Sequence, residues 1–191
     1  MPIRRLCAGI AVVCLLCGCS AVHDPERLAA SLREQYASST EIQTKVAIQA
    51  DSGEEYTDYV VQLSYQIGEA PRAEITVEEP ESIAGITATY DAENNTLTYE
   101  DTVLQTLLPE RGGLTPVDAG PAILHSLTTE EPEAIWTEGE LLVLQYQEET
   151  EECTVVRELY LNLSDGILTG ARVFCNGTQT IVCRFSEFQR T

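Results

Sequence analysis

The sequence predicts an α+β fold: one helix near the start, a long meander of antiparallel strands, and a short helical insertion at 115–127. Three observations carry that expectation. From residue 41 onward apolar residues recur at every second position, the period of a strand with one buried face. Asn176-Gly177 stands between two such runs, a dipeptide that favours a tight hairpin turn. At 24–37 and again within 109–133 the alternation gives way to capping residues and helical spacing.

A chain of 191 residues with 43% hydrophobic content is the size of one domain and can bury a core. Its first stretch belongs to something else. Arg4 and Arg5 precede an apolar run from Leu6 to Gly18, 13 residues long. A bilayer needs roughly 20, so the run fits the hydrophobic centre of a secretory signal rather than a membrane-spanning helix. It ends in Leu16-Cys17-Gly18-Cys19, which resembles the bacterial lipobox, with Leu three residues before the cut and a small residue immediately before it. Cys17 stands where that motif usually has Ala, Ser or Thr. The resemblance implies cleavage before Cys19 and lipid attachment to it. Cys7, Cys14 and Cys17 would leave with the signal. A metal site would need a second pair of ligands, and His23 is the one candidate nearby. The expected organisation is a signal peptide at 1–18, a lipidated tether at 19–23 and one domain at 24–191. A chain so placed is held on the outer side of a bacterial membrane by its N-terminal lipid.

Removing the signal leaves nine basic side chains against 31 acidic ones, a difference of −22. Such a surface repels phosphate backbones and anionic headgroups, which argues against nucleic-acid partners and against electrostatic docking to a membrane. The acids cluster at Glu78, Glu79 and Glu81, at Glu130, Glu131 and Glu133, and at Glu148, Glu149, Glu151 and Glu152. They lack the alternating ligand spacing of a calcium loop and read as solvated turns.

In chain order, Asp24-Pro25-Glu26 has the form of a helix start: an N-cap, Pro at the first helical position, and acid in the first turn. Leu28, Leu32 and Tyr36 follow on one face, giving a helix over 25–37. Tyr59, Val61, Leu63, Tyr65 and Ile67 then alternate with polar residues, as do Ala73, Ile75 and Val77, and Ile86, Ala88 and Tyr90. A turn at Asp91 to Asn95 leads into Leu97 and Tyr99. Thr115-Pro116-Val117-Asp118 resembles another helix start, and Pro121 predicts a turn or kink before a clean helix over 120–127. Strands resume at 134–137 and through Leu142, Leu144 and Tyr146. The last three span 154–163, 167–175 and 178–185, joined by Ser164-Asp165-Gly166 and Asn176-Gly177.

The order of elements, together with the lipobox, "PESIAGITATYDAENNTLTYED" at 80–101, "TPVDAGPAILHSL" at 115–127 and "RELYLNLSDGILTGARVF" at 157–174, resembles the LolA/LolB-like lipoprotein family. The likeness is nearest to its clostridial members, a group that includes the spore germination lipoprotein. The resemblance implies a curved antiparallel sheet forming an incomplete β-barrel, with the N-terminal helix and the short helical insertion capping its open side. It implies a concave apolar face that shields a lipid or acyl chain. The alternative it offers is a protein-interaction adaptor that supports a cell-wall or spore-cortex amidase and holds no ligand.

Candidate residues for such a cavity are Tyr59, Tyr65, Tyr90, Tyr99 and Trp136, with Ile123, Leu124 and Leu127 on the short helix. Each of them also has a plain reading as core. No catalytic constellation stands out. The histidines are His23 and His125, there is no G-x-S-x-G, and a lone His125 on a helix reads as a packing or surface residue. The expectation is a protein that is not an enzyme and needs neither metal nor cofactor. Cys153, Cys175 and Cys183 remain in the mature chain. If 164–166 is a three-residue loop, Val155 pairs with Cys175 and Cys153 lies diagonally beside it, making Cys153 to Cys175 the candidate disulfide. Cys183 falls on the opposite face if Asn176-Gly177 is a two-residue turn, and a one-residue slip would reverse the choice.

Overall fold

A computed structural model of the chain describes residues 24–51, 53, 55–91, 96–99, 102–105, 112–150 and 153–191. The proposed signal and tether, Cys19 included, lie outside the described residues. Helix α1 (Pro25–Ala37) starts as its sequence dictates, with the Asp24 carboxylate accepting from the Glu26 N–H at 3.3 Å and Pro25 in the first turn. It buries Ala29, Leu32 and Tyr36.

Eleven strands form one antiparallel sheet: β1 (Glu41–Asp51), β2 (Tyr56–Gln66), β3 (Arg72–Glu79), β4 (Thr87–Asp91), β5 (Thr96–Tyr99), β6 (Thr102–Gln105), β7 (Ala134–Glu138), β8 (Leu141–Glu149), β9 (Thr154–Asn162), β10 (Leu168–Cys175) and β11 (Thr178–Arg190). Their spatial order is β6-β5-β4-β3-β2-β1-β11-β10-β9-β8-β7. The first and last strands therefore pair at the centre, and the remaining neighbours are consecutive in sequence. Two meanders spread from that seam and end at separate edges, β6 and β7, so the sheet curves without closing. Helix α2 (Ala119–Thr129) lies in the concavity, packing on β2, β9, β11 and α1.

The period-two pattern becomes the inner face. Val46 pairs with Val61 and Phe185, and Leu63 with Ile75. Leu142, Leu144 and Tyr146 of β8 face Leu161, Leu159 and Arg157 of β9. All of these except Arg157 belong to one apolar core with α1 and α2. The close seat of α2 needs Gly120, since a Cβ there would lie 2.8 Å from Leu63 Cδ2.

The C-terminal hairpins keep the expected turn positions, but the register shifts twice. Leu168 pairs with Leu161 before a shift that brings Gly170 opposite Tyr160, in place of the expected Leu163 to Ile167 pairing, and a second shift lies beyond the last turn. Cys175 pairs with Val155 and with Thr178, so Asn176-Gly177 is a two-residue turn. A bulge follows at once: Phe174 pairs with Gln179, but Val173 pairs with Ile181. The extra residue turns the rest of β11 over, because side chains alternate strictly along a strand. Cys183 thus faces the core opposite Ala171, 1% exposed, rather than the far side. Burial pushes its thiol up to about 12, which leaves it unreactive. No disulfide joins the described cysteines. Strand β11 also runs past residue 185 to Arg190, where it pairs with Ile42.

Candidate functional site

The concavity is mostly filled. Ile123, Leu124 and Leu127 are each 0% exposed and pack as core, so they close the half-barrel rather than line an open cavity. Tyr59 packs against the same core from β2. Trp136 pairs with Val143, whose neighbours Leu142 and Leu144 point inward, so it sits on the outer face of β7 and β8. Tyr99 lies in β5, and its side chain is outside the described residues.

Among the described residues, a cleft of about 360 Å³ stays open between α2 and the ends of β2, β3 and β4. Tyr65, Pro71, Ala73, Tyr90, Pro121 and Ala122 give it an apolar wall. Of the aromatic residues singled out from sequence, Tyr65 and Tyr90 are brought together there. They meet because Tyr65 pairs with Ala73, and Ala73 with Tyr90, across three strands on the inner face. The Tyr65 hydroxyl lies 3.4 Å from His125 Nδ1, and burial raises the pKa of its phenol.

The other end of the cleft is polar and comes from the far meander. Arg157 of β9 is 2% exposed. Its Nε donates to Ser126 Oγ at 2.9 Å, and its Nη1 donates to the Gly112 carbonyl and to Glu148 Oε2, each at 2.8 Å. Its Nη2 reaches Glu130 Oε2 at 3.4 Å. A buried guanidinium is tolerable only when its donors are met in this way. The network fastens α2 through Ser126 and Glu130, and the preceding loop through Gly112, to strands β8 and β9.

That loop is fixed from the other side by Asp118. Its carboxylate accepts from the Thr115 N–H at 2.7 Å, the Thr115 hydroxyl at 2.5 Å and the Gly113 N–H at 3.3 Å. Desolvation raises its pKa, and those three hydrogen bonds oppose the shift. Pro121 is accommodated because it falls in the first turn of α2, where its missing N–H breaks no helical bond. The helix therefore begins at Ala119 after a turn over 116–118, the turn expected before a clean helix.

Arg157, Glu130, Glu148 and Asp118 were not among the candidates the sequence offers. Glu130 and Glu148 belong to two of the acidic clusters read as solvated turns, and here they converge on one cation. Among the described residues no group of three His, Cys, Asp or Glu side chains could hold a metal ion. None of the described helices is long and apolar enough to cross a membrane.

Fold and site together define an open antiparallel half-barrel, closed by two helices and retaining one amphipathic cleft beside the second. That is the curved, incomplete barrel expected from sequence. Similar solved structures include a DUF1329 family protein from Desulfovibrio piger, with a TM-score of 0.53 and 12% identity over 87% of this chain and 93% of that one. An uncharacterised conserved protein from Thermus thermophilus has a TM-score of 0.50 and 12% identity, covering 87% of each chain. They also include a LolA superfamily protein from Nitrosomonas europaea, at a TM-score of 0.45 and 12% identity over 84% of this chain and 92% of that one. At such identities the likeness is one of fold. No family model and no curated protein sequence matches the chain.

Proposed function

We propose that the protein is a lipid-anchored, extracytoplasmic binding protein without catalytic activity, and that the cleft beside α2 receives an apolar ligand such as one acyl chain. The cleft itself carries this reading. Its volume of about 360 Å³ lies at the small end of the roughly 300–1,000 Å³ usual for ligand pockets. Its wall of Tyr65, Tyr90, Pro71, Ala73, Pro121 and Ala122 offers apolar contact along one side. The lipobox-like Leu16 to Cys19 supports the anchor and the compartment. The binding site is smaller than a fully open concave face would provide, because α2 occupies most of that face.

The described strands, helices and core lie within 24–191, so this unit can be assayed without its anchor. Displacement of a neutral fluorescent acyl probe, or native mass spectrometry after lipid exposure, tests the reading. Stoichiometric binding is expected, and its loss in Ala122→Trp, which builds into the cleft from α2. No binding by the wild-type unit would overturn it. The complete burial of Ile123, Leu124 and Leu127 favours a second reading, a packed adaptor for a cell-envelope enzyme. Co-purification of a wall amidase with the anchored protein, unaffected by Ala122→Trp, is the result that would select it.

A further inference from the structure

The polar end of the cleft carries information about the ligand's headgroup. On the reading of the cleft as a ligand site, charge decides which headgroup it admits. Arg157 is the one Lys or Arg among the described residues that line it. Four of its five N–H groups are engaged by Ser126, Gly112, Glu148 and Glu130. It is 2% exposed, so an anionic headgroup could reach it only by displacing a carboxylate.

Two carboxylates surround that single guanidinium, leaving an excess of negative charge. Each contributes Oε2 to Arg157, and their side chains are 35% and 46% exposed, for Glu130 and Glu148 respectively. They therefore remain accessible from the cleft. Tyr65 and Tyr90 line the same space, and an aromatic ring can attract a cation as well as pack on an alkyl chain. The body's difference of 31 acidic against nine basic side chains adds long-range attraction of the same sign.

We propose that the cleft selects amphiphiles by charge: it takes those bearing an amine or ammonium group, seated against Glu130 and Glu148 with the apolar part on the Tyr65 and Tyr90 wall, and it rejects free fatty acids. A carboxylate headgroup at the Glu130 and Glu148 end would meet two like charges, with Arg157 already held by them; the one other lining side chain able to carry positive charge is His125, beside Tyr65. A neutral alcohol would meet neither attraction nor repulsion and would bind in between.

The test is a matched series of dodecylammonium, dodecanol and laurate, each below its micelle concentration, measured by calorimetry against the 24–191 unit at neutral pH. Dodecylammonium is expected to bind at least about tenfold more tightly than laurate, a difference of about 1.4 kcal/mol. Glu130→Gln is the informative variant, since it removes charge at the weaker of the two Arg157 contacts and keeps a hydrogen-bond acceptor. It should weaken dodecylammonium severalfold and leave dodecanol unchanged. Laurate binding as tightly as dodecylammonium overturns the charge selection while leaving the cleft a ligand site. A preference that survives both Glu130→Gln and Glu148→Gln overturns the assignment to these residues. Failure of all three compounds to bind removes the ligand reading itself.

Discussion

Arg157 shows how the cost of a buried charge depends on which partner is removed. Its guanidinium is 2% exposed, whereas Glu148 and Glu130 still reach water. Arg157→Met leaves carboxylates that solvent can take over, together with an apolar chain of similar length in the core. Glu148→Ala instead leaves a buried cation whose remaining carboxylate partner is Glu130, at 3.4 Å. The expected order is therefore a larger stability loss for Glu148→Ala, about 3–5 kcal/mol, than for Arg157→Met. Urea melts of the two variants check it, and the reverse order would mean that the acids rather than the arginine are the buried component. Asp118 supplies a pH dependence of definite sign. Its pKa is raised in the fold by burial, so the folded chain binds that proton more tightly than the unfolded one. The stability this group contributes is present below its unfolded pKa and is lost as pH rises through the folded value. Asp118→Asn keeps an acceptor and cannot ionise, so across the acidic range its stability relative to wild type should rise with pH. A difference that stays flat with pH would contradict the assignment.

At the scale of elements, the Tyr36 side chain ties α1 to the C-terminal meander by hydrogen bonds. The Tyr36 hydroxyl donates to the Gly166 carbonyl at 3.0 Å and accepts from the Leu168 N–H at 2.9 Å. Arg190 lies over its ring at 4.5 Å, and Phe188 meets it edge-on at 6.0 Å. Tyr36→Phe strands two buried backbone groups and should cost about 1–3 kcal/mol, read from denaturant midpoints; an unchanged midpoint would mean that α1 docks by apolar contact alone. The elements were largely legible in the sequence. Asp24-Pro25 with the Leu28, Leu32, Tyr36 stripe marks α1 to the residue, and Asn176-Gly177 fixes the last hairpin. The bulge at Val173 and Phe174 was not legible, because nothing in "ARVFCNGTQTIVC" distinguishes an in-register run from one with an extra residue. That single residue decides which face Cys183 takes. The cleft was legible only in part. Alternation through Val155, Leu159 and Leu161 does place Arg157 on the buried face, where a guanidinium requires partners. It does not reveal that curvature brings β8 and β9 opposite the ends of β2 and β4, and so Glu130 and Glu148 read as solvent-facing when taken alone.

For the whole molecule, the pairing of β1 with β11 puts the two meanders on either side of one seam and leaves α2 as the plug between them. Such a scaffold positions a cleft along α2 without needing a closed barrel. Attachment through Cys19 would hold this acidic body at a membrane that its own charge repels, an arrangement that takes more than one acyl chain for stability. Cys19→Ala is expected to release the protein from the membrane fraction, with its fold unchanged by circular dichroism; retention on membranes would refute the anchor. The central claim, that the cleft beside α2 is a site for an apolar ligand, is tested most directly by measuring acyl-probe uptake in the 24–191 unit and its Ala122→Trp variant. The account predicts saturable binding at one site in the first and none in an equally folded second. Equal binding by both, or binding by neither, would contradict it.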